Sequence, residues 1–323
     1  MKHLLTAILA LCVGVSPSLV GAQSYPDKPI KFVVPLGPGS GLDAGARYVA
    51  EKISKTLGQP VIVENRPGAG SLIGTEAVLK APSDGYTVLL VSPSSMVISP
   101  LTRPNNSYDP LKDFTMVAGM NLANIVIVVP ASSPHQTFKD LVEYGRQNPG
   151  KINFGHYSEF YRLGSISLLN HVGVEANYIP YQSATPVISD LAGKTLDGAI
   201  LPTGTAEPLV KSGRLRALVA ASKSRMTEID AFKGIPTILE SGYPEFELTV
   251  WTGFAVRSGT PAVIVKKLEG AIMEVLRSSD FRDFQMSRGG ELPFIVDSTE
   301  FTQVLKKSLS DTLQVIKAID AKK

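Results

Sequence analysis

Pro35-Leu36-Gly37-Pro38-Gly39-Ser40-Gly41-Leu42-Asp43 is the stretch from which the chain is best read. It follows Ile30 to Val34, a run with the length and β-branched content of a buried strand, and precedes an amphipathic run from Asp43 to Leu57. It is therefore a strand-to-helix turn. Its glycines allow positive φ and close approach of another molecule, and the first N–H groups of the helix, which lack intrahelical partners, point at it. Such a turn suits an anion. It equally suits an ordinary glycine-rich connection, and its own residues leave both readings open. Leu42, Ala46, Val49, Ala50, Ile53 and Leu57 share one face of the helix. Asp43, near the first helical turn, is placed either to cap the helix dipole or to join a site.

The unit recurs. Gly58-Gln59-Pro60 stops the helix, Val61 to Val63 reads as a strand, and Asn65-Arg66-Pro67-Gly68-Ala69-Gly70-Ser71 leads into a helix from Leu72 to Lys80. Ser83-Asp84-Gly85 turns the chain into a third strand, Tyr86 to Val91, with the hydroxyls of Ser92, Ser94 and Ser95 beyond its end. Three such strand ends fit the rule that α/β sheets bind ligands outside the carboxyl ends of their strands. Ser99 to Phe114 reads as an irregular loop, and Asn124 to Val129 as a strand closed by Pro130. A second series follows: a helix from Thr137 to Gln147, the segment His156 to Arg162 leading into a helix to His171, and a strand from Ala176 to Ile179. Then come the turn Tyr181-Gln182-Ser183-Ala184, a helix to Leu191, a strand from Gly198 to Leu201 with Thr203 beyond it, a helix near Ala206 to Lys211, and Ala217 to Ala221. A strand run from Phe246 to Val256 returns to the first series, followed by helices starting near Pro261 and Thr299.

The chain opens with Lys2 and His3, an apolar run from Leu4 to Val15, and small residues at Val20-Gly21-Ala22, the three-part pattern of a secretory signal peptide cleaved after Ala22. The single cysteine, Cys12, lies inside it, so the exported chain is expected to carry no thiol or disulfide. The remaining length is comfortable for two lobes. With 32 Lys and Arg against 29 Asp and Glu, dispersed along the chain, nothing points to nucleic acid. His135, His156 and His171 lack metal-ligand spacing, and no HExxH pattern occurs. No serine sits in a Gly-x-Ser-x-Gly elbow, and no phosphate-binding Gly-x-x-x-x-Gly-Lys loop is present. Gly68, Gly70 and Gly74 miss the dinucleotide fingerprint by one position. No metal, cofactor or catalysis is expected. Hydrogen-bond donors without a nucleophile read as a binding protein, with a secreted NAD-dependent or hydrolytic enzyme as the remote alternative.

Several motifs together sharpen this. Pro35-x-x-x-Gly39-x-x-x-Asp43-x-x-Ala46-Arg47, Asn65-Arg66-Pro67-Gly68-Ala69-Gly70, Ala81-Pro82-x-Asp84-Gly85-Tyr86-Thr87, Ile179-Pro180-Tyr181, Trp251-x-Gly253 and Gly259-Thr260-Pro261 resemble the periplasmic solute receptors of tripartite tricarboxylate transporters, the Bordetella uptake gene family. The resemblance implies an α/β, two-lobe periplasmic binding fold of the Venus-flytrap type II kind, without catalysis, that passes its ligand to a membrane permease and acts as a monomer in the periplasm. Residues 1–22 would be the signal peptide, 23–122 and 247–323 the first lobe, and 123–246 the second, with hinge crossings near Met120 to Asn124 and Glu245 to Thr249. Carried over by position, Gly39, Ser40, Gly41, Asp43, Ser71, Ser92 and Ser94 fall on the first lobe's wall. Tyr181, Gln182, Ser183 and Ala184 fall on the second, and Thr203, beyond the strand Gly198 to Leu201, is a further candidate for binding the ligand.

Two departures from the family pattern bear on the ligand. Ser40 stands where a second glycine is common and adds a hydroxyl to the turn. His156-Tyr157-Ser158-Glu159-Phe160-Tyr161-Arg162-Leu163 replaces a loop rich in Gly and Ser that ends in His-Leu. His156 and Arg162 beside Tyr157, Phe160 and Tyr161 suggest a dicarboxylate with a flat aromatic body, such as terephthalate, because Arg can grip a carboxylate with two hydrogen bonds and rings can cover a flat middle. In the competing reading Phe160 or Tyr161 faces the core and Arg162 pairs with Glu159 along the helix. An aliphatic di- or tricarboxylate such as adipate or citrate is then the alternative ligand.

Overall fold

The computed structural model describes residues 25–244, 246–287 and 292–320. The signal-peptide reading and Glu245 of the second expected crossing lie outside them. The first half runs β1 (Ile30–Val34), α1 (Gly41–Leu57), β2 (Val61–Asn65), α2 (Leu72–Leu79) and β3 (Thr87–Val91). A π-helical turn, Ser94–Ile98, then continues into two short helices, α3 (Ser99–Thr102) and α4 (Pro110–Asp113), where an irregular loop was expected. Next is β4 (Phe114–Pro130), 17 residues long and almost wholly buried.

The second half runs α5 (Phe138–Gln147), β5 (Ile152–His156), α6 (Glu159–His171), β6 (Ala176–Pro180), α7 (Ala184–Ala192), β7 (Gly198–Pro202), α8 (Thr203–Lys211) and β8 (Leu215–Ala220). The chain returns through β9 (Thr249–Arg257), α9 (Ala262–Leu276), α10 (Ser279–Met286), β10 (Leu292–Val296) and α11 (Ser298–Asp320). Sequence reading had not separated α10 or β10 from their neighbours.

The strands follow the order β2-β1-β3-β9-β4-β7-β5-β6, with β8 and β10 also on β4. Within each half the βα units are parallel: β1 with β2 and β3, and β5 with β6 and β7. β1, β5 and β7, inside the sheet and largely buried, read as short apolar runs, whereas β2 and β6 are partly exposed strands at the ends of the order. β4 is the element that joins the halves. Phe114 to Asn124 pair with β9, and Ile125 to Val128 pair with β7. The sequence showed only its second part, because Gly119, Asn121 and two register shifts break the pattern in the first.

Register fixes where the strand ends point. Val91, the last residue of β3, lies opposite Gly253, and Thr249 of β9 lies opposite Asn124. Pro202, the last residue of β7, lies opposite Ile125. The turns after β3 and β7 therefore flank the same crossing, Asn124 to Ile125, from opposite halves. One apolar cluster bridges the halves there, with Met96 and Val97 from the first and Phe160, Tyr161 and Leu163 from the second.

Candidate functional site

The turn after β1 is latched from within. Ser40 caps α1 by accepting the Asp43 N–H at 3.2 Å, and Gly39, with φ +80°, donates its N–H to Asp43 Oδ2 at 2.9 Å. Asn65, at the end of β2, donates to Asp43 Oδ1 at 2.8 Å and to the Leu36 carbonyl at 3.1 Å. Arg47 adds a bond to Oδ2 at 3.1 Å and one to Asn65 Oδ1 at 2.8 Å. Burial pushes the Asp43 carboxyl up, but the bonds from Arg47, Gly39 and Asn65 outweigh it and hold its pKa below the usual carboxylate value. Asp43 therefore shapes the turn, and both its oxygens are occupied. What the turn offers outward is the Ser40 hydroxyl proton and the N–H groups of Gly41 and Leu42, the first two positions of α1.

The turn after β2 carries four consecutive residues of positive φ: Gly68, Ala69, Gly70 and Ser71. Two are not glycine, and such conformations cost about 1–3 kcal/mol each and gather where a ligand is clamped. Ser71 is buried, and its hydroxyl has no partner. After β3, the Ser95 hydroxyl accepts the Ser92 N–H at 3.1 Å and donates to the Ser92 carbonyl at 3.0 Å. That closes the loop and leaves the buried Ser92 hydroxyl unpaired, beside the buried Ser94.

In the second half, His156 ends β5, buried, with Nδ1 unpaired and its carbonyl taking the Tyr181 N–H at 2.8 Å. Burial, and then the Arg162 charge, pull the His156 pKa below its ordinary value, so the imidazole is neutral at pH 7. Thr203, the first residue of α8, is fully buried with its hydroxyl unpaired. Gln182 and Ser183 are exposed, and Ala184 opens α7.

The structure places three other expected contacts differently. Arg162 Nε bonds both Glu159 oxygens, at 3.0 and 2.9 Å, so its fork is occupied along the helix. Phe160 is packed in the cluster that bridges the halves, edge-on to Tyr161 at 5.3 Å. The Tyr181 hydroxyl donates to Asp190 at 2.6 Å. Tyr157 remains half-buried, its ring 4.4 Å from that of Tyr161.

Buried polar side chains in native proteins are nearly always satisfied. Among the described residues, Ser71, Ser92, Asn106, His156, Ser165, Thr203 and Thr252 each keep an unpartnered buried polar atom, and four of them follow or end a strand: Ser71 in the turn after β2, Ser92 after β3, His156 at the end of β5 and Thr203 after β7, two on each half. Ser165 of α6, which sequence reading missed, joins them: it is fully buried, with an unpaired hydroxyl. Its only signal is helical spacing, one turn past Tyr161. No group of three or more His, Cys, Asp or Glu suited to a metal occurs among the described residues. A surface hollow of about 280 Å³ between Tyr25, Asp27, Lys28, Asp84, Tyr86 and Ile264 lies by the amino ends of β1 and β3, away from these turns.

An unpaired buried hydroxyl costs about 1–3 kcal/mol by mutational measures. Thr203→Val is therefore expected to stabilise the ligand-free protein by about 1 kcal/mol while weakening ligand binding. Urea denaturation and titration calorimetry check the two halves of that result. A variant that loses stability would mean Thr203 has a structural partner.

A family model described as "Tripartite tricarboxylate transporter family receptor" matches residues 45–321. The chain is 34% identical over 279 residues to a "UPF0065 protein in tcbD-tcbE intergenic region" of Pseudomonas sp. strain P51, covering 84% of this chain and 82% of that protein. It is likewise 34% identical to Protein BugT of Bordetella pertussis over 263 residues, covering 80% and 79%. Among solved structures, R. palustris Rpa4515 with adipate superposes with a TM-score of 0.84 at 27% identity, covering 91% of this chain and 97% of that one. MatC of Rhodopseudomonas palustris with bound malate gives 0.82 at 26%, covering 90% and 100%. The fold shared with these structures is the two-lobed α/β architecture of periplasmic binding proteins, with its ligand cleft between the lobes.

Proposed function

Because the chain belongs to the receptor family of the tripartite tricarboxylate transporters, whose members are solute-binding receptors and not enzymes, we propose that it captures a small dicarboxylate in the periplasm and delivers it to a membrane permease. The observation that carries this is the set of unsatisfied buried donors at the strand ends of both halves. The first half offers N–H groups and hydroxyls, which favour an anion and need no counter-charge of their own. The second half offers the His156 imidazole and the Thr203 hydroxyl.

Neither half suffices alone. A helix terminus contributes about 0.3–1 kcal/mol to an exposed anion and up to about 2 when partly buried. Micromolar binding needs about 8 kcal/mol. The remainder has to come from enclosing both ends of the ligand between the halves, where water is excluded.

Within this class, the ligand is an aromatic dicarboxylate of the terephthalate type. The half-buried Tyr157 ring, seated against Tyr161 and next to His156, offers a flat wall to a flat body. The occupied Arg162 and the packed Phe160 remove two of the contacts that first suggested this ligand. The adipate and malate carried by two structural neighbours favour an aliphatic acid as the second reading. Titration calorimetry with terephthalate, phthalate, benzoate, adipate, malate and citrate separates them. Terephthalate is expected to bind tightest. A clear preference for adipate or malate would leave the receptor function standing and overturn the aromatic assignment.

A further inference from the structure

Arg103 ends α3 and is followed by Pro104, which forces it into extended backbone, φ −102° and ψ +118°. Its guanidinium reaches back to the turn after β2. A Cβ at Gly70 would lie 3.1 Å from Arg103 Nη2. The segment is tied there by the Ser99 hydroxyl, which donates to the Gly70 carbonyl at 2.9 Å. The next residue along the turn is Ser71, whose buried hydroxyl has no partner.

Arg103 differs from the cations around the other turns. Arg47 and Arg162 each lie against a carboxylate, at 3.0 and 2.5 Å. Among the described residues, no ion pair within 4.0 Å involves the half-buried Arg103. Glu76, which shares with it the neighbourhood of Tyr108, is engaged by Lys80 at 3.2 Å and Ser107 at 2.7 Å. A partly buried guanidinium without a counter-ion is costly unless something else supplies the charge. Its planar fork matches a carboxylate with two parallel bonds.

Resting on the carboxylate reading above, we infer that Arg103 and the Ser71 hydroxyl form a charged subsite for one carboxylate of the ligand, at the turn after β2. Glycine at position 70 suits both the positive φ of the turn and the close approach of the guanidinium, on which a Cβ would press at 3.1 Å. The positive φ of Ala69 and Ser71 lies in this same turn, where strained backbone gathers at ligand clamps.

The test is titration calorimetry of wild type, Arg103→Gln and Arg103→Lys with terephthalate and adipate, at low and raised KCl. The expected result for Arg103→Gln is a loss of at least about tenfold in affinity and a flatter salt dependence, with Arg103→Lys keeping the salt dependence but not the full affinity. The melting midpoint of the ligand-free Arg103→Gln protein is expected to equal or exceed that of wild type, because an uncompensated partly buried charge is removed. If it falls, the decision passes to Arg103→Lys, where wild-type affinity would overturn the assignment. Wild-type affinity and salt slope in Arg103→Gln would overturn it outright. Wild type that binds none of the acids would instead overturn the carboxylate reading itself, and the subsite with it, before any variant is made.

Discussion

Asp43→Ala is expected to abolish ligand binding and to destabilise the protein by about 2–4 kcal/mol, since hydrogen bonds to a charged group contribute roughly 1.5–3 kcal/mol each and their losses do not simply add. One carboxylate closes the turn after β1 against Gly39, fastens it to Asn65 of β2 and receives Arg47. Asp43 is 5% exposed and Arg47 51%, so the cation left behind returns to water, and the cost stays below that of orphaning a fully buried charge. The Gly39 N–H is left without its acceptor, and only the Ser40 cap and the Asn65 bond to the Leu36 carbonyl still hold the turn that presents the N–H groups of Gly41 and Leu42. Urea denaturation and calorimetry on one sample read both effects.

The pH dependence has a definite sign. The Asp43 pKa is depressed in the folded protein, so its contribution is present above the ordinary Asp value and is lost as pH falls through the folded one. Wild type should therefore lose stability below about pH 4 more steeply than Asp43→Ala does. Parallel acid profiles for the two proteins would show that Asp43 does not carry this latch.

Gly253→Ala should cost about 3 kcal/mol, near the upper end for overpacking a core. Gly253 sits at the centre of the β3-β9-β4 sheet, opposite Val91 on one side and Gly119 on the other. A Cβ there would run into the Ala118 carbonyl oxygen and the Phe301 ring. The oxygen belongs to a paired strand. The ring is fully buried and held edge-on by Trp251 at 5.3 Å. Neither can give way without moving the joint between the halves, so binding should fall along with stability. Gly270→Ala is the control: it lies on the exposed side of α9, its Cβ would meet nothing within 4 Å, and an alanine in a helix is favourable by about 0.5–1 kcal/mol. If guanidinium unfolding places Gly253→Ala within about 0.5 kcal/mol of wild type, the crossing is looser than described.

Much of the architecture was legible because it is local. Ile30 to Val34 and Gly198 to Leu201 announce buried strands and Val61 to Val63 a partly exposed edge strand, and each is followed by a turn into a helix. The long β4 was half legible: Asn124 to Val129 is unbroken, whereas Gly119 and Asn121 interrupt the part that pairs with β9. The candidate site divides in the same way. Ser71, Ser92 and Thr203 are marked by their place after a strand. Arg162 lay three residues from Glu159, a spacing that allowed the pair without deciding whether Arg162 would turn to a ligand instead. Arg103 carried no local signal, since its relation to Gly70 spans 33 positions of chain.

From Pro35 to Asp43 the residue order alone determined a strand, a glycine-rich turn and a helix start able to face an anion, because φ freedom, helix capping and apolar periodicity act over a few residues. Tertiary structure alone decided which polar atoms remain to meet a ligand. Asn65 and Arg47 occupy Asp43, Glu159 occupies Arg162 and Asp190 occupies Tyr181, whereas the Ser71, Ser92 and Thr203 hydroxyls and His156 Nδ1 are buried without partners. Whether a donor is satisfied depends on what the fold brings within about 3 Å of it, and much of that comes from distant parts of the chain.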